Sequence, residues 1–137
     1  MIDVENFIDR LITAINAEAA GSGPLSDIAG RVVFNFVPEG TDPYCNITIT
    51  DAPTDGWYGK IYSDKIRVKV SIVGSNSTQL NGITKALRIW LADTKLDLTD
   101  QQHISTRILG GYPMMVARNN NEIRTNSFSL LEFWIVS

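Results

Sequence analysis

Cysteine and histidine each occur once in the 137-residue chain, as Cys45 and His103. One cysteine excludes an internal disulfide and any multi-cysteine metal site. One histidine leaves little for Ser/His/acid or Cys/His catalysis, which needs an imidazole held between partners. Cys45 opens an alternating run with Ile47 and Ile49 and reads as a core thiol. His103 follows Asp100-Gln101-Gln102 and reads as an exposed residue at the edge of a strand. The carboxylates sit mostly in expected caps and loops, and no pair of them stands out as an acid/base couple. No metal, no cofactor and no enzymatic activity are expected.

Long apolar runs are also missing. Stretches such as Leu130-Leu131 fall far short of the ~20 residues that a bilayer-spanning helix needs. Met1-Ile2-Asp3-Val4-Glu5 carries no basic segment ahead of an apolar one, so no secretory signal is expected. The chain reads as soluble and cytoplasmic, or as assembled from the cytoplasm, with no membrane partner. Gly74-Ser75-Asn76-Ser77-Thr78 lacks the Gly-Lys-Ser/Thr ending of a phosphate loop and reads as helix capping.

What is present is ordinary globular material. Hydrophobic residues make up 44% and charged residues 20%, a balance that supports one domain with its own core. The net charge of −3 is unevenly spread. Residues 1–58 hold nine acids against Arg10 and Arg31, a balance of −7, whereas residues 59–137 hold ten bases against six acids, +4. This is either scatter over a solvated surface or a bipolar subunit whose copies associate head to tail.

The best-patterned stretch runs from Lys60 to Leu91. Ile66, Val68, Val70 and Ile72 alternate with Arg67, Lys69 and Ser71, giving a strand with one apolar and one polar face. At roughly 3.3 Å per residue it is long, so it should either bulge near Ser63-Asp64 or project as a hairpin arm. The pattern then becomes helical, with Leu80, Ile83, Leu87, Trp90 and Leu91 on one side. Asn76 and Gln79 at its start resemble a capping box.

A first helix is expected from Val4, Phe7, Ile8, Leu11, Ile12 and Ile15, with Asp3 as N-cap, ending near Ala19 before Gly21 and Pro24. Arg31 to Val37 and Cys45 to Thr50 read as strands. Asp51 to Gly59 reads as a loop whose Trp57-Tyr58 pair either marks an interface or folds onto the domain. His103 to Leu109 and Met114 to Arg118 read as strands broken by Gly110-Gly111-Tyr112-Pro113, and Asn119-Asn120-Asn121 as a turn. Ser127 to Val136 is a last strand, apolar on both faces, hence central or covered on both sides. The expected fold is a single α+β domain over residues 1–137, mainly an antiparallel sheet with two principal helices packed on it. The element order is α-β-β-β-α-β-β, with a further strand as an eighth element if the last third divides further.

The helix, the run from Gly30-Arg31-Val32-Val33-Phe34 to Val37-Pro38, the charged long strand, the helix ending Ala86-Leu87-Arg88-Ile89-Trp90-Leu91 and the closing run Phe128 to Val136 together resemble the bacteriophage tail terminator proteins, also called tail completion or tail-to-head joining proteins. The resemblance is one of length, element order and pattern across nearly the whole chain. It implies a non-enzymatic virion protein that forms a hexameric ring on the tail tube in the neck of the particle. That ring ends tube polymerisation and offers a surface to the head connector or stopper protein, with DNA only as cargo through it. The host cytoplasm would be the site of assembly. On that reading Trp57, Tyr58, Lys60, Lys65, Arg67 and Lys69 are candidate ring or tube contacts, and Asp3, Glu5 and Asp9 are candidate counterparts on the neighbouring subunit.

Two other readings stay open. One is a different head–tail connector component, such as a head-completion or stopper protein. The other is a monomeric module for single-stranded nucleic acid, because Tyr58, Lys60, Tyr62, Arg67 and Lys69 interleave aromatics with bases. The sequence pI near 5.0 weighs against the second.

Overall fold

A computed structural model describes residues 4–21, 23–35, 43–51, 54–58, 61–119 and 122–136, with the backbone alone at 54–58, 61–64, 112–119 and 122–125. In chain order the elements are helix α1 (Val4–Ala19), a short 3-10 helix (Pro24–Ile28), strands β1 (Val32–Phe34), β2 (Tyr44–Asp51), β3 (Thr54–Tyr58) and β4 (Ile61–Gly74), helix α2 (Ser77–Asp93), and strands β5 (Gln102–Asn119) and β6 (Glu122–Val136). They form an α+β domain with two principal helices on a mostly antiparallel sheet. The sheet order is β1-β2-β4-β6-β5, and β3 also pairs with β4. Among the described residues, only β1 and β2 run parallel.

Alternation along β4 and β6 decides which face is covered. Ile66, Val68, Val70 and Ile72 of β4 and Leu131, Phe133 and Ile135 of β6 are all at most 1% exposed, and they join one core with both helices. From α1 this core takes Phe7, Ile8, Leu11 and Ile15, and from α2 Leu80, Ile83, Leu87 and Leu91. The Phe7 ring meets Phe133 edge-on at 5.1 Å between centroids. Both helices therefore lie on the same side of the sheet, and the opposite face carries the intervening residues.

The ends of α2 follow from short-range chemistry. The Asn76 side chain accepts a hydrogen bond from the Gln79 backbone N–H at 3.1 Å. The reciprocal half of a capping box is replaced, because the Gln79 amide donates instead to Asp27 Oδ2 at 3.0 Å, tying α2 to the 3-10 helix. Asp3, the expected cap of α1, lies outside the described residues. Between the 3-10 helix and β1 the chain turns at Gly30, whose φ of 72° suits a residue without a Cβ.

Three local expectations are corrected. The stretch expected as a loop at Asp51–Gly59 contains strand β3, which pairs with residues 61–64 of β4 as a hairpin. β2 continues along the same edge of β4, opposite residues 67–73. The irregularity anticipated near Ser63-Asp64 falls on the facing strand, where the register shifts between Thr54 and Gly56. Second, Gly110 to Pro113 does not break the C-terminal strand. β5 runs through it by taking an extra residue against β6 between Ile108 and Gly110 and again between Tyr112 and Met115. As the outer strand beyond β6, β5 tolerates a proline at such a bulge, because the missing N–H need not serve a ladder. The turn expected at Asn119–Asn121 falls partly outside the described residues, between the paired Asn119 and Glu122.

The third correction concerns His103, which is 4% exposed rather than a surface residue. The backbone N–H of Leu96 donates to its Nδ1 at 2.9 Å, so Nε2 carries the proton and donates toward the Ser105 carbonyl oxygen at 3.0 Å, with Thr106 Oγ1 at 2.8 Å. The ring also packs 5.4 Å from Phe133. Burial lowers its pKa, the hydrogen bond to Ser105 opposes that, and nearby Lys95 adds to the lowering. Lys95 itself reaches the Ile104 carbonyl oxygen. His103 thus fixes the connection from α2 into β5.

Candidate interaction face

β6 is central in the sheet, as its apolar pattern implied, yet among the described residues helices cover only one of its faces. The other face presents Lys65, Arg67 and Lys69 from β4 opposite Trp134, Glu132 and Leu130 from β6. Trp134 lies in the strand whose apolar pattern predicts a central or doubly covered position, and the structure leaves it 39% exposed.

A row of charges crosses this face at right angles to the strands. Asp51 of β2, Arg67 of β4, Glu132 of β6 and Arg107 of β5 are direct cross-strand partners in successive pairings. Arg67 Nη1 stands 3.4 Å from Asp51 Oδ2, and Arg67 Nε donates to Glu132 Oε2 at 3.1 Å. Arg107 Nη2 meets the second oxygen, Glu132 Oε1, at 3.2 Å. Side-chain exposure falls from 52% at Asp51 and 44% at Arg67 to 6% at Glu132, then rises to 69% at Arg107. The carboxylate is therefore sunk into the face, with each oxygen matched to a different guanidinium. An isolated buried carboxylate would be strongly unfavourable, and the flanking cations make the position tenable.

Lys69 lies next in the pattern. Its Nζ sits 4.6 Å from the ring centroid of Phe128, which is 8% exposed, in a cation–π contact. Aromatic, aliphatic and paired ionic groups thus alternate across neighbouring strands. This composition, aromatic and arginine-rich around a desolvated centre, is typical of protein interfaces.

The expected contact residues divide accordingly. Lys65, Arg67 and Lys69 share this face, as their spacing implied. The charge of Arg67 is already engaged within the subunit, which sequence alternation alone did not reveal. Glu5 and Asp9 are exposed on α1, in the helical layer on the other side of the sheet. They are therefore separated from the β4 cations by the thickness of the domain. Trp57 and Tyr58 are placed in β3 by their backbone alone, opposite Tyr62 and Ile61, whereas Lys60 and Asp3 lie outside the described residues. Glu132, Arg107 and Trp134 were missed. The one available signal was Glu132 itself, a lone acid inside the apolar run from Leu130 to Val136.

The two residues with nucleophile or base chemistry are both absorbed into the core. Cys45 is fully buried, and burial pushes its thiol up to about 12. His103 has both ring nitrogens hydrogen-bonded. Among the described residues there is no cluster of three or more His, Cys, Asp or Glu that could hold a metal, and no helix long and apolar enough to cross a membrane.

No family model and no curated protein matches the sequence. Among solved structures, a chain from the virion of a native gene transfer agent particle shares the fold. It is 8% identical, the match covers 90% of this chain and 93% of that one, and the TM-score is 0.65. At that identity the likeness establishes a common fold. A second solved chain, 15% identical over 97% of this chain and 92% of its own length, has a TM-score of 0.48 and carries no weight here.

Proposed function

We propose that this chain is a structural, non-enzymatic subunit of a phage-like virion, and that it acts as a tail terminator. Copies of it would close into a ring, six by the family resemblance, on the head-proximal end of the tail tube. The ring stops tube growth, presents a surface to the head connector or stopper protein, and leaves a passage for DNA. The observation that carries the reading is the whole-length fold likeness to a chain of a gene transfer agent virion, at a TM-score of 0.65. It agrees with the independent resemblance in element order and pattern.

The uncovered sheet face supports a ring in particular. Lys65, Arg67, Lys69 and Trp134 lie on one side of the subunit, and the exposed acids Glu5 and Asp9 lie on α1 on the other. A contact between two different patches repeats from copy to copy and closes into a ring when its rotation divides a full turn, whereas a self-complementary patch stops at a dimer. Electron microscopy of the purified protein tests this. Closed rings with a central channel are expected. A strictly monomeric protein that binds oligonucleotides in a salt-dependent manner would overturn it in favour of a nucleic-acid module.

A further inference from the structure

On the helical side of the sheet, away from the charged row, a cleft of about 490 Å³ opens between α2 and the paired strands β5 and β6. Asn81, Thr84, Lys85 and Arg88 line it from α2, Gly111 from β5 and Ser127 from β6. Two of these side chains are cationic and none is a carboxylate.

Three details make this a built site rather than a gap. Arg88 is held in place, since its Nε donates to Ser129 Oγ at 3.0 Å. Its guanidinium lies against bare backbone at Gly111, where an added Cβ would stand 2.5 Å from Arg88 Nη2 and 2.6 Å from the Phe128 carbonyl oxygen. Glycine is what allows the guanidinium to approach β5. Finally, Thr84 is 6% and Ser127 0% exposed, and the hydroxyl of each is buried without a hydrogen-bond partner. Buried hydroxyls are ordinarily satisfied, so an unpaired couple beside two cations marks the place of an acceptor that the subunit itself does not supply.

We infer that this cleft binds a single oxyanion, a carboxylate or phosphate group, taken by the Arg88 guanidinium and Lys85 ammonium and hydrogen-bonded by the Thr84 and Ser127 hydroxyls. Guanidinium paired with hydroxyl donors matches the several acceptor lone pairs of such a group. The inference does not rest on the ring reading, since the donors all belong to one subunit.

The test is titration of the full chain with inorganic phosphate and, separately, acetate, followed by the amide resonances of Thr84, Gly111 and Ser127. A saturable shift with a dissociation constant of roughly 1 mM is expected for phosphate. Arg88→Met should weaken it by about tenfold or more, and Ser127→Ala by severalfold, with spectral dispersion retained. Ser127→Ala is the milder variant should Arg88→Met perturb folding. The absence of a saturable shift up to about 50 mM phosphate, or equal shifts in wild type and both variants, would overturn the site. The source of the group is read from the oligomer mass in the same titration. Dissociation by phosphate supports a carboxylate from a second copy as the occupant, and an unchanged mass supports a free anion.

Discussion

The Arg67–Glu132–Arg107 row makes a stability prediction with an unusual asymmetry. Glu132 is the buried member at 6% side-chain exposure, whereas Arg67 and Arg107 are 44% and 69% exposed. Glu132→Gln leaves two guanidiniums that water can rehydrate, and Arg67 still holds Asp51, so the loss should be about 1 kcal/mol. Removing both cations, as Arg67→Met with Arg107→Met, leaves a carboxylate in the face with neither partner. That should cost about 3–5 kcal/mol, close to the value for breaking a buried pair. Each arginine variant alone should fall between, because one guanidinium remains. Adding Glu132→Leu to the arginine double variant should restore most of the loss, since a well-packed apolar replacement of a buried ionic group is often neutral. Urea unfolding followed by far-ultraviolet circular dichroism reads this directly. With a slope of roughly 1.5–2 kcal/mol per molar, the double variant should shift the midpoint down by about 2 M. If the double variant is no less stable than Glu132→Gln, or if Glu132→Leu fails to rescue it, the carboxylate is not held by these two arginines and the reasoning is wrong.

Two further outcomes are expected. His103 is neutral in the folded protein, with its pKa lowered from 6.5, so the unfolded chain binds a proton first as pH falls. Its contribution is complete above about pH 6.5 and is lost as pH falls from there toward the lowered folded value, at up to about 1.4 kcal/mol per pH unit. Urea midpoints measured between about pH 7.5 and pH 5 should show that slope, and His103→Gln should remove its share of it. At α2, Asn76→Ala deletes the acceptor for the Gln79 N–H and should cost about 1 kcal/mol. Hydrogen exchange at Gln79 should quicken, while exchange in β4 follows only the global change.

What could be read in advance was what depends on near neighbours in the chain. The β4 alternation and the α2 stripe placed Ile66 to Ile72 and Leu80 to Leu91 in the core, and Asn76 capped the helix, because period and capping are local. The charged row was not legible, since it depends on the register of β2, β4, β6 and β5, strands separated by up to 81 positions from Asp51 to Glu132. Pro113 looked like a terminator because proline usually is one. An outermost position in the sheet and a bulge allow the strand to pass through it. His103 was misjudged because its partner, the Leu96 N–H, lies beyond the helix end, where no periodic signal reaches. Trp134 belongs to the run Ser127 to Val136, whose apolar pattern implies a central or doubly covered strand, yet among the described residues no helix packs over its face.

The reading of the uncovered face as a subunit contact is tested most directly by sedimentation equilibrium of wild type and Trp134→Asp over a wide concentration range. Trp134 is 39% exposed, so the substitution should leave the circular dichroism of the subunit intact. Wild type is expected to reach one closed oligomer of discrete mass, and Trp134→Asp to remain monomeric with an unchanged fold. The same oligomer in both, or a wild type that stays monomeric throughout, would contradict it.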